Sequence, residues 1–131
     1  MKICINSTSY CSGLGQGVGE IIIRYTIQGG IQQSYHENPG VRFSAITRTA
    51  YLPNDEGGKQ LLKRLKYAFL RGLTFTIGTS LTSGQPNQVT WASIHHKTST
   101  SGGTHGYPDP SYIGNCNEEL DNAGVPKANE L

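Results

Sequence analysis

The first sustained apolar run is Glu20 to Ile27, EIIIRYTI, and its β-branched content predicts a strand. Gly29-Gly30 breaks the run, and Ile31 to Tyr35 is expected to resume as a short paired strand. His36-Glu37-Asn38-Pro39-Gly40 reads as a turn, with Pro-Gly suited to its centre. Val41 to Leu52 is a second extended run that ends at Pro53, with Phe43, Ala45 and Ile46 expected inward. Asn54 or Asp55 can cap the helix that follows, predicted from about Glu56 to Arg71. Leu61, Leu62, Leu65, Ala68 and Phe69 recur on one stripe of that helix, as burial of a single face requires. Gly72 is placed to end it in a left-handed conformation.

The pattern then alternates. Leu73, Phe75 and Ile77 share one face of a predicted strand and Thr74 and Thr76 the other. Gly78-Thr79-Ser80 turns the chain into a loop of small and polar residues that reaches Asn87, with Leu81 its one large apolar side chain. Gln88 to Ile94 alternates again, Val89, Trp91 and Ser93 against Thr90, Ala92 and Ile94. Asp109 is a good N-cap and Pro110 suits a first helical position, so the last helix is predicted from there to about Ala123. Tyr112, Ile113, Cys116, Leu120 and Ala123 make its apolar face. Residues 1–18 are expected to be flexible or atypical, and residues 125–131 to fray. Gly13 to Gly19 is glycine-rich, but a β-rich run follows where a dinucleotide loop needs a helix.

These elements give an α+β class: one domain of antiparallel sheet, two main helices and long loops. A length of 131 residues suits a single core. Apolar content of 35% and 17 glycines favour the loop-rich version over a tight bundle. No apolar run approaches the 18 or so residues that span a bilayer, so no membrane is expected. Met1 to Ile5 gives way at once to polar residues, and no secretory leader is expected. Three cysteines without CxxC spacing point to reduced thiols inside the cell, rather than a disulfide framework or structural zinc.

Charge adds one asymmetry. From Gly57 to Pro108 there is no Asp or Glu, while Lys59, Lys63, Arg64, Lys66, Arg71 and Lys97 all fall in that span. It reads either as a segment suited to an anionic partner or as a solvated basic helix face.

Candidate chemistry concentrates in Trp91 to Pro110, which holds His95, His96 and His105 among serine, threonine and glycine. Adjacent strand residues face opposite ways, so His95 and His96 are not expected to share a zinc ion. No nucleophile elbow is present, and Cys116 reads as core. A nucleotide or ADP-ribose pocket fits better. Amides of the Gly78-Thr79-Ser80 turn would meet phosphate, His95 and His105 would bond ribose or phosphate, and Tyr107 would stack on a ring. On the last helix, 100° steps place Glu119 beside Tyr112 at the edge of the buried stripe, where shielding favours a general base. A purely structural role for the histidines stays open.

Arg48-Thr49-Ala50-Tyr51-Leu52-Pro53, Phe75-Thr76-Ile77-Gly78-Thr79-Ser80, Thr90-Trp91, Ile94-His95-His96-Lys97-Thr98 and Gly106-Tyr107-Pro108-Asp109-Pro110 with Tyr112 together resemble the C-terminal domain of Deltex-type E3 ubiquitin ligases. The resemblance covers roughly Gly19 to Gly124. It implies a cleft for ADP-ribose or NAD, and transfer of ubiquitin to a ribose hydroxyl with a RING domain, in cis or in trans, and an E2–ubiquitin conjugate. ADP-ribosylated proteins, and in some members nucleic-acid 3′ ends, are the implied partners. The implied setting is Notch signalling in the cytoplasm or nucleus. By residue, it implies that His95 grips the ligand, that Glu119 accepts the hydroxyl proton and that His105 orients the hydroxyl. A RING needs eight Cys/His ligands, and three cysteines with four histidines cannot supply them. Alone, the chain is therefore expected to bind and not to transfer. The alternative expectation is a non-catalytic reader of ADP-ribosylated proteins or nucleic-acid 3′ ends. Leu81 stands where the family has a small polar residue beside the pocket turn, and residues 1–18 depart from the family's opening.

Overall fold

The computed structural model describes residues 1–7, 11–13 and 18–131. Most of the glycine-rich loop read between residues 13 and 19 lies outside the described residues. The chain forms an α+β domain whose described strands all pair antiparallel. β1 (Lys2–Asn6), β2 (Glu20–Ile27) and β5 (Ile46–Pro53) make a sheet in the order β1-β2-β5. β3 (Gly30–Ile31) pairs with β4 (Arg42–Phe43), and β6 (Phe75–Gly78) pairs with β7 (Gln88–Trp91). Helix α1 (Glu56–Leu70) follows β5, and helix α2 (Tyr112–Asn122) precedes a short 3-10 turn at Ala128–Glu130.

The register of β2 with β5 carries across the gap to β3 and β4 without a slip, with Ile27 opposite Ile46 and Gly30 opposite Phe43. Strand parity then corrects one expectation. Ile46, Ala50 and Leu52 share the core face, whereas Phe43 and Ala45 fall on the other. Ala45 is exposed, Phe43 and Ile46 are half-buried, and Ala50 and Leu52 are the residues of this run that fill the core. The distal half of the hairpin simply reaches past the core.

The sheet meets α1 and α2 over Ile21, Ile23, Tyr25, Leu61, Leu65, Ala68, Tyr112, Cys116 and Leu120, each nearly or wholly excluded from solvent. Burying one such Leu or Ile contributes about 1.5–3 kcal/mol. The α1 stripe is thus the main reason a helix of this composition stays folded. Asp55 caps it, its Oδ1 accepting from Gly58 N at 2.8 Å, and Gly72 follows at φ 73° as its left-handed terminator. Gly58 admits no side chain, because a Cβ there would lie 1.9 Å from Pro53 O.

Four further expectations change. Lys2–Asn6, in the segment expected to be flexible or atypical, is strand β1, with Ile3 and Ile5 opposite Ile23 and Ile21 of β2. Residues 125–131, expected to fray, are tied down at their start. Val125 is 5% exposed, and the Arg64 guanidinium donates to Val125 O at 2.8 Å and Pro126 O at 3.0 Å. Arg64 itself is 2% exposed, so it does not belong to the solvated basic face, which is left to Lys59, Lys63, Lys66 and Arg71. On α2 the helix begins at Tyr112 rather than Pro110. Asp109 Oδ1 instead accepts from Ser111 Oγ at 2.9 Å and Ser111 N at 3.3 Å in the turn before it. No helix among the described residues is long and apolar enough to cross a membrane.

Candidate functional site

Residues 92–111 leave β7 and return to α2 as one long excursion, and backbone hydrogen bonds fold it onto the sheet. Tyr51 N donates to Lys97 O at 2.8 Å, fixing the excursion to β5. Thr98 N and Ser99 N both donate to His105 O at 3.0 Å, and Gly102 N donates to Tyr107 O at 2.8 Å. This closes a compact loop with His105 at its neck. Gly106 has to be glycine, since a Cβ there would lie 2.1 Å from Gly102 O.

The two adjacent histidines separate as expected, although β7 ends at Trp91, short of the Ile94 expected, and both lie beyond it. His96 is buried: its Nδ1 donates to Ile94 O at 3.0 Å, and its Nε2 accepts from Tyr25 Oη at 2.8 Å. It stacks on Trp91 at 4.4 Å, and burial lowers its pKa to about 4, so it is a neutral structural residue. His95 faces out, with 77% of its side chain exposed. Helix α2 grips it on both sides of its peptide. Glu119 Oε1 accepts from His95 N at 2.9 Å, and Glu119 Oε2 pairs with His95 Nδ1. Tyr112 Oη at 2.9 Å and Cys116 Sγ at 3.5 Å donate to His95 O. Cys116 lies in the core, where burial pushes its thiol up to about 11, so it acts as a weak donor and not as a nucleophile.

His95, His105 and Glu119 line one cavity of about 590 Å³, together with Asn115, Glu118 and Asn122. Lys97 also lines it, with its side chain 7% exposed. Its ammonium bonds Thr104 O at 3.0 Å and Asp109 Oδ2 at 2.8 Å, and stands 5.4 Å from the centre of the Tyr112 ring. The bond to Lys97 holds the Asp109 carboxyl below the usual carboxylate range. Lys97 is therefore an internal strut joining the loop to the start of α2, not a free cation for an anionic ligand. The sequence signal for it was present: Asp109 is the first acid after the acid-free span, and Lys97 is the last cation inside it.

Four expected site residues lie elsewhere. Tyr107 is 3% exposed, donates its hydroxyl to Tyr51 O at 2.9 Å and packs edge-on against Tyr112. Its ring belongs to the core and is not offered to a ligand. Gly78, Thr79 and Ser80 end β6 and do not line the cavity of His95 and Glu119. There the Ser80 N–H is taken by Gln85 O at 2.9 Å, and Gly78 lies beside the Glu37 carboxylate. Among the described residues, no group of three or more His, Cys, Asp or Glu side chains is arranged to hold a metal.

With this geometry in place, comparison with known proteins is decisive at the level of family. The model of the Deltex C-terminal domain matches residues 1–125, and the chain belongs to that family. It is 50% identical over 109 residues to a probable E3 ubiquitin-protein ligase, DTX3 of Homo sapiens, covering 82% of this chain and 31% of that protein. It is 47% identical over 112 residues to the E3 ubiquitin-protein ligase DTX1 of Homo sapiens, and 45% identical over 109 residues to DTX4 of Mus musculus. Those two matches cover 82% and 80% of this chain and 18% of each relative. The chain thus spans from under a fifth to about a third of the relatives it matches.

Proposed function

We propose that this chain is the ADP-ribose- or NAD-binding part of a Deltex-type ubiquitin ligase. In this reading it holds ADP-ribose, free or protein-linked, while a RING domain and an E2–ubiquitin conjugate deliver ubiquitin to a ribose hydroxyl. The observation that carries the reading is the meeting of His95, His105 and Glu119, drawn from three separate parts of the chain, around one cavity. Its volume lies within the roughly 300–1,000 Å³ of small-molecule sites. Donors and acceptors there suit hydroxyls as well as phosphates: the imidazoles of His95 and His105, the carboxylates of Glu118 and Glu119 and the amides of Asn115 and Asn122. Glu119 and His105 serve the transfer step, and general-base help of that kind contributes about 10²–10⁴-fold.

The test is calorimetric titration with ADP-ribose and NAD, followed by a transfer assay with a Deltex-type RING supplied in trans. Saturable binding is expected, lost in His95→Ala, and transfer is expected to fall about 10²–10⁴-fold in Glu119→Ala. Unaltered affinity in His95→Ala removes its ligand role, and an unaltered transfer rate in Glu119→Ala removes the carboxylate from the chemistry.

A second reading has its own observation. Three cysteines and four histidines cannot build the eight-ligand zinc centres of a RING. The chain by itself then acts as a reader of ADP-ribosylated proteins or nucleic-acid 3′ ends. Binding without transfer, whatever RING is added, selects this reading.

A further inference from the structure

We infer that the cleft between the β3–β4 ribbon and the loop entering β7 is a docking site for an extended, acidic peptide segment of a partner protein. The site is separate from the cavity of His95 and Glu119, and it stands whether or not that cavity takes ADP-ribose.

The cleft has a volume of about 700 Å³ and shares no lining residue with the first cavity. One wall is Arg42 to Ala45, and the other is Gln85 to Gln88. Four consecutive residues line a cleft together when an extended chain presents its edge, because alternate side chains leave on opposite faces. That edge is open, since β4 pairs with β3 alone among the described strands. The ladder is also interrupted here. Pairing stops at Ile27 with Ile46 and resumes at Gly30 with Phe43. Gly29, Ser44 and Ala45 lie in the gap, and no hydrogen bond engages their backbone groups among the described residues. A peptide laid in the cleft therefore meets unused N–H and C=O groups, which is how a strand is added to a sheet edge. Gly29 keeps that stretch bare: a Cβ there would lie 3.0 Å from Ala45 N and 3.1 Å from Phe43 O.

A polar knot fixes the two walls relative to each other. Gln32, 2% exposed, donates from Nε2 to Asn87 Oδ1 at 2.9 Å and accepts from Asn38 N at 3.0 Å. Asn38 Nδ2 donates to the same Asn87 oxygen at 2.9 Å. These bonds hold Asn87 at φ 60°, in the left-handed region that residues with a side chain rarely enter. The cleft is thus preformed, and a ligand does not bear the cost of ordering it.

Its chemistry selects the ligand. Arg42 is the one charged residue along it, exposed, and its guanidinium meets no acceptor among the described residues. Glu37, on the turn of the same ribbon, lies beside Gly78 instead. A guanidinium fork without a partner suits a carboxylate. Phe43 and Pro86 offer apolar surface to a neighbouring side chain, and the Gln85 amide suits a peptide group. A single cation is too few for a nucleic-acid backbone, which is held through several phosphates.

The test presents the whole chain with pools of short randomised peptides that share a fixed Glu, Gln or Lys at the centre, and reads backbone amide NMR shifts. The Glu pool is expected to shift Gly29, Gly30, Phe43 to Ala45 and Gln88, and to leave His95 and Glu119 unmoved. Arg42→Gln is expected to weaken binding of the tightest Glu peptide about tenfold or more. Arg42→Glu is expected to move the preference to the Lys pool. Arg42 is exposed, so both variants should fold, and an unchanged Tm checks that. Equal shifts from the Glu and Gln pools overturn the acidic preference. Absence of cleft shifts in every pool, or the same shifts from a random single-stranded oligonucleotide, overturns the peptide assignment.

Discussion

Glu20 begins β2 with 4% of its surface exposed, and its Oε2 atom meets no hydrogen-bond donor among the described residues. Burial raises its pKa above the ordinary 4.5, and its charge adds to the burial that pushes Cys11 up to about 11. The folded state therefore holds this proton more tightly than the unfolded chain does. Stability contributed by Glu20 is full at low pH and falls as pH rises through the folded pKa. Replacing it with Gln removes the charge. Calorimetric Tm values between pH 4.5 and 8 are expected to diverge, with Glu20→Gln the more stable at the alkaline end and the gap closing on acidification. Parallel curves would count against a buried charge at this position. Nothing in the spacing of EIIIRYTI marks Glu20 as buried, since a strand's first residue is as often outside. Glu119 is different. Helix geometry converts spacing into position, and the neighbours it pairs in projection, Tyr112 and Glu119, are the two that clamp His95 O and His95 N. Tyr107 had no such guide, because a loop has no period, and its ring turned out to complete the core.

At the scale of elements, Arg64 decides how α1, α2 and the chain's end sit together. Its guanidinium donates to Asn117 O, Asn117 Oδ1, Asp121 Oδ1 and Val125 O, and its Nε to Pro126 O. These bonds bracket Glu119 on the sequence of α2. Arg64→Leu leaves several of these carbonyl oxygens without a donor and is expected to cost about 1–3 kcal/mol or more. Lys63→Leu, one residue away and exposed, is expected to stay within about 0.5 kcal/mol. Urea midpoints measure both, and equal midpoints would mean that the packing of Leu61 and Leu65 alone docks α2. Both helices, the long hairpin and the β6–β7 pair were legible, because each carries many residues of one period between clear breakers. β1 was not, because five residues beside a polar stretch carry too little pattern, and only pairing with β2 makes them a strand. Arg64 reads as a surface cation by type. Its burial depends on backbone carbonyls, which have no letter in the sequence.

At the scale of the molecule, the site depends on contacts no single segment encodes: Lys97 with Asp109 across the loop, Tyr107 with Tyr51, and His95 with α2. Family likeness supplied what period and composition could not, namely which ligand to test. It also sets the last prediction. The chain has too few cysteines and histidines for a RING, so transfer requires a second domain to meet this one. When both are separate at micromolar concentration, encounter limits the rate. A flexible linker converts it to an intramolecular event at roughly millimolar effective concentration. Joining a Deltex-type RING to this chain is therefore expected to raise ubiquitin transfer to ADP-ribose by about 10²–10⁴-fold over the mixed domains. On the ligase reading, affinity for ADP-ribose itself should not change, since His95, His105 and Glu119 all belong to this chain. The measurement is initial rate against RING concentration for the mixture, beside the fused protein at one concentration. A mixture that already reaches the fused rate at micromolar RING would mean that the two domains bind each other directly. Equal low rates in both would mean that the RING presents the E2–ubiquitin thioester where His95 and Glu119 cannot reach it.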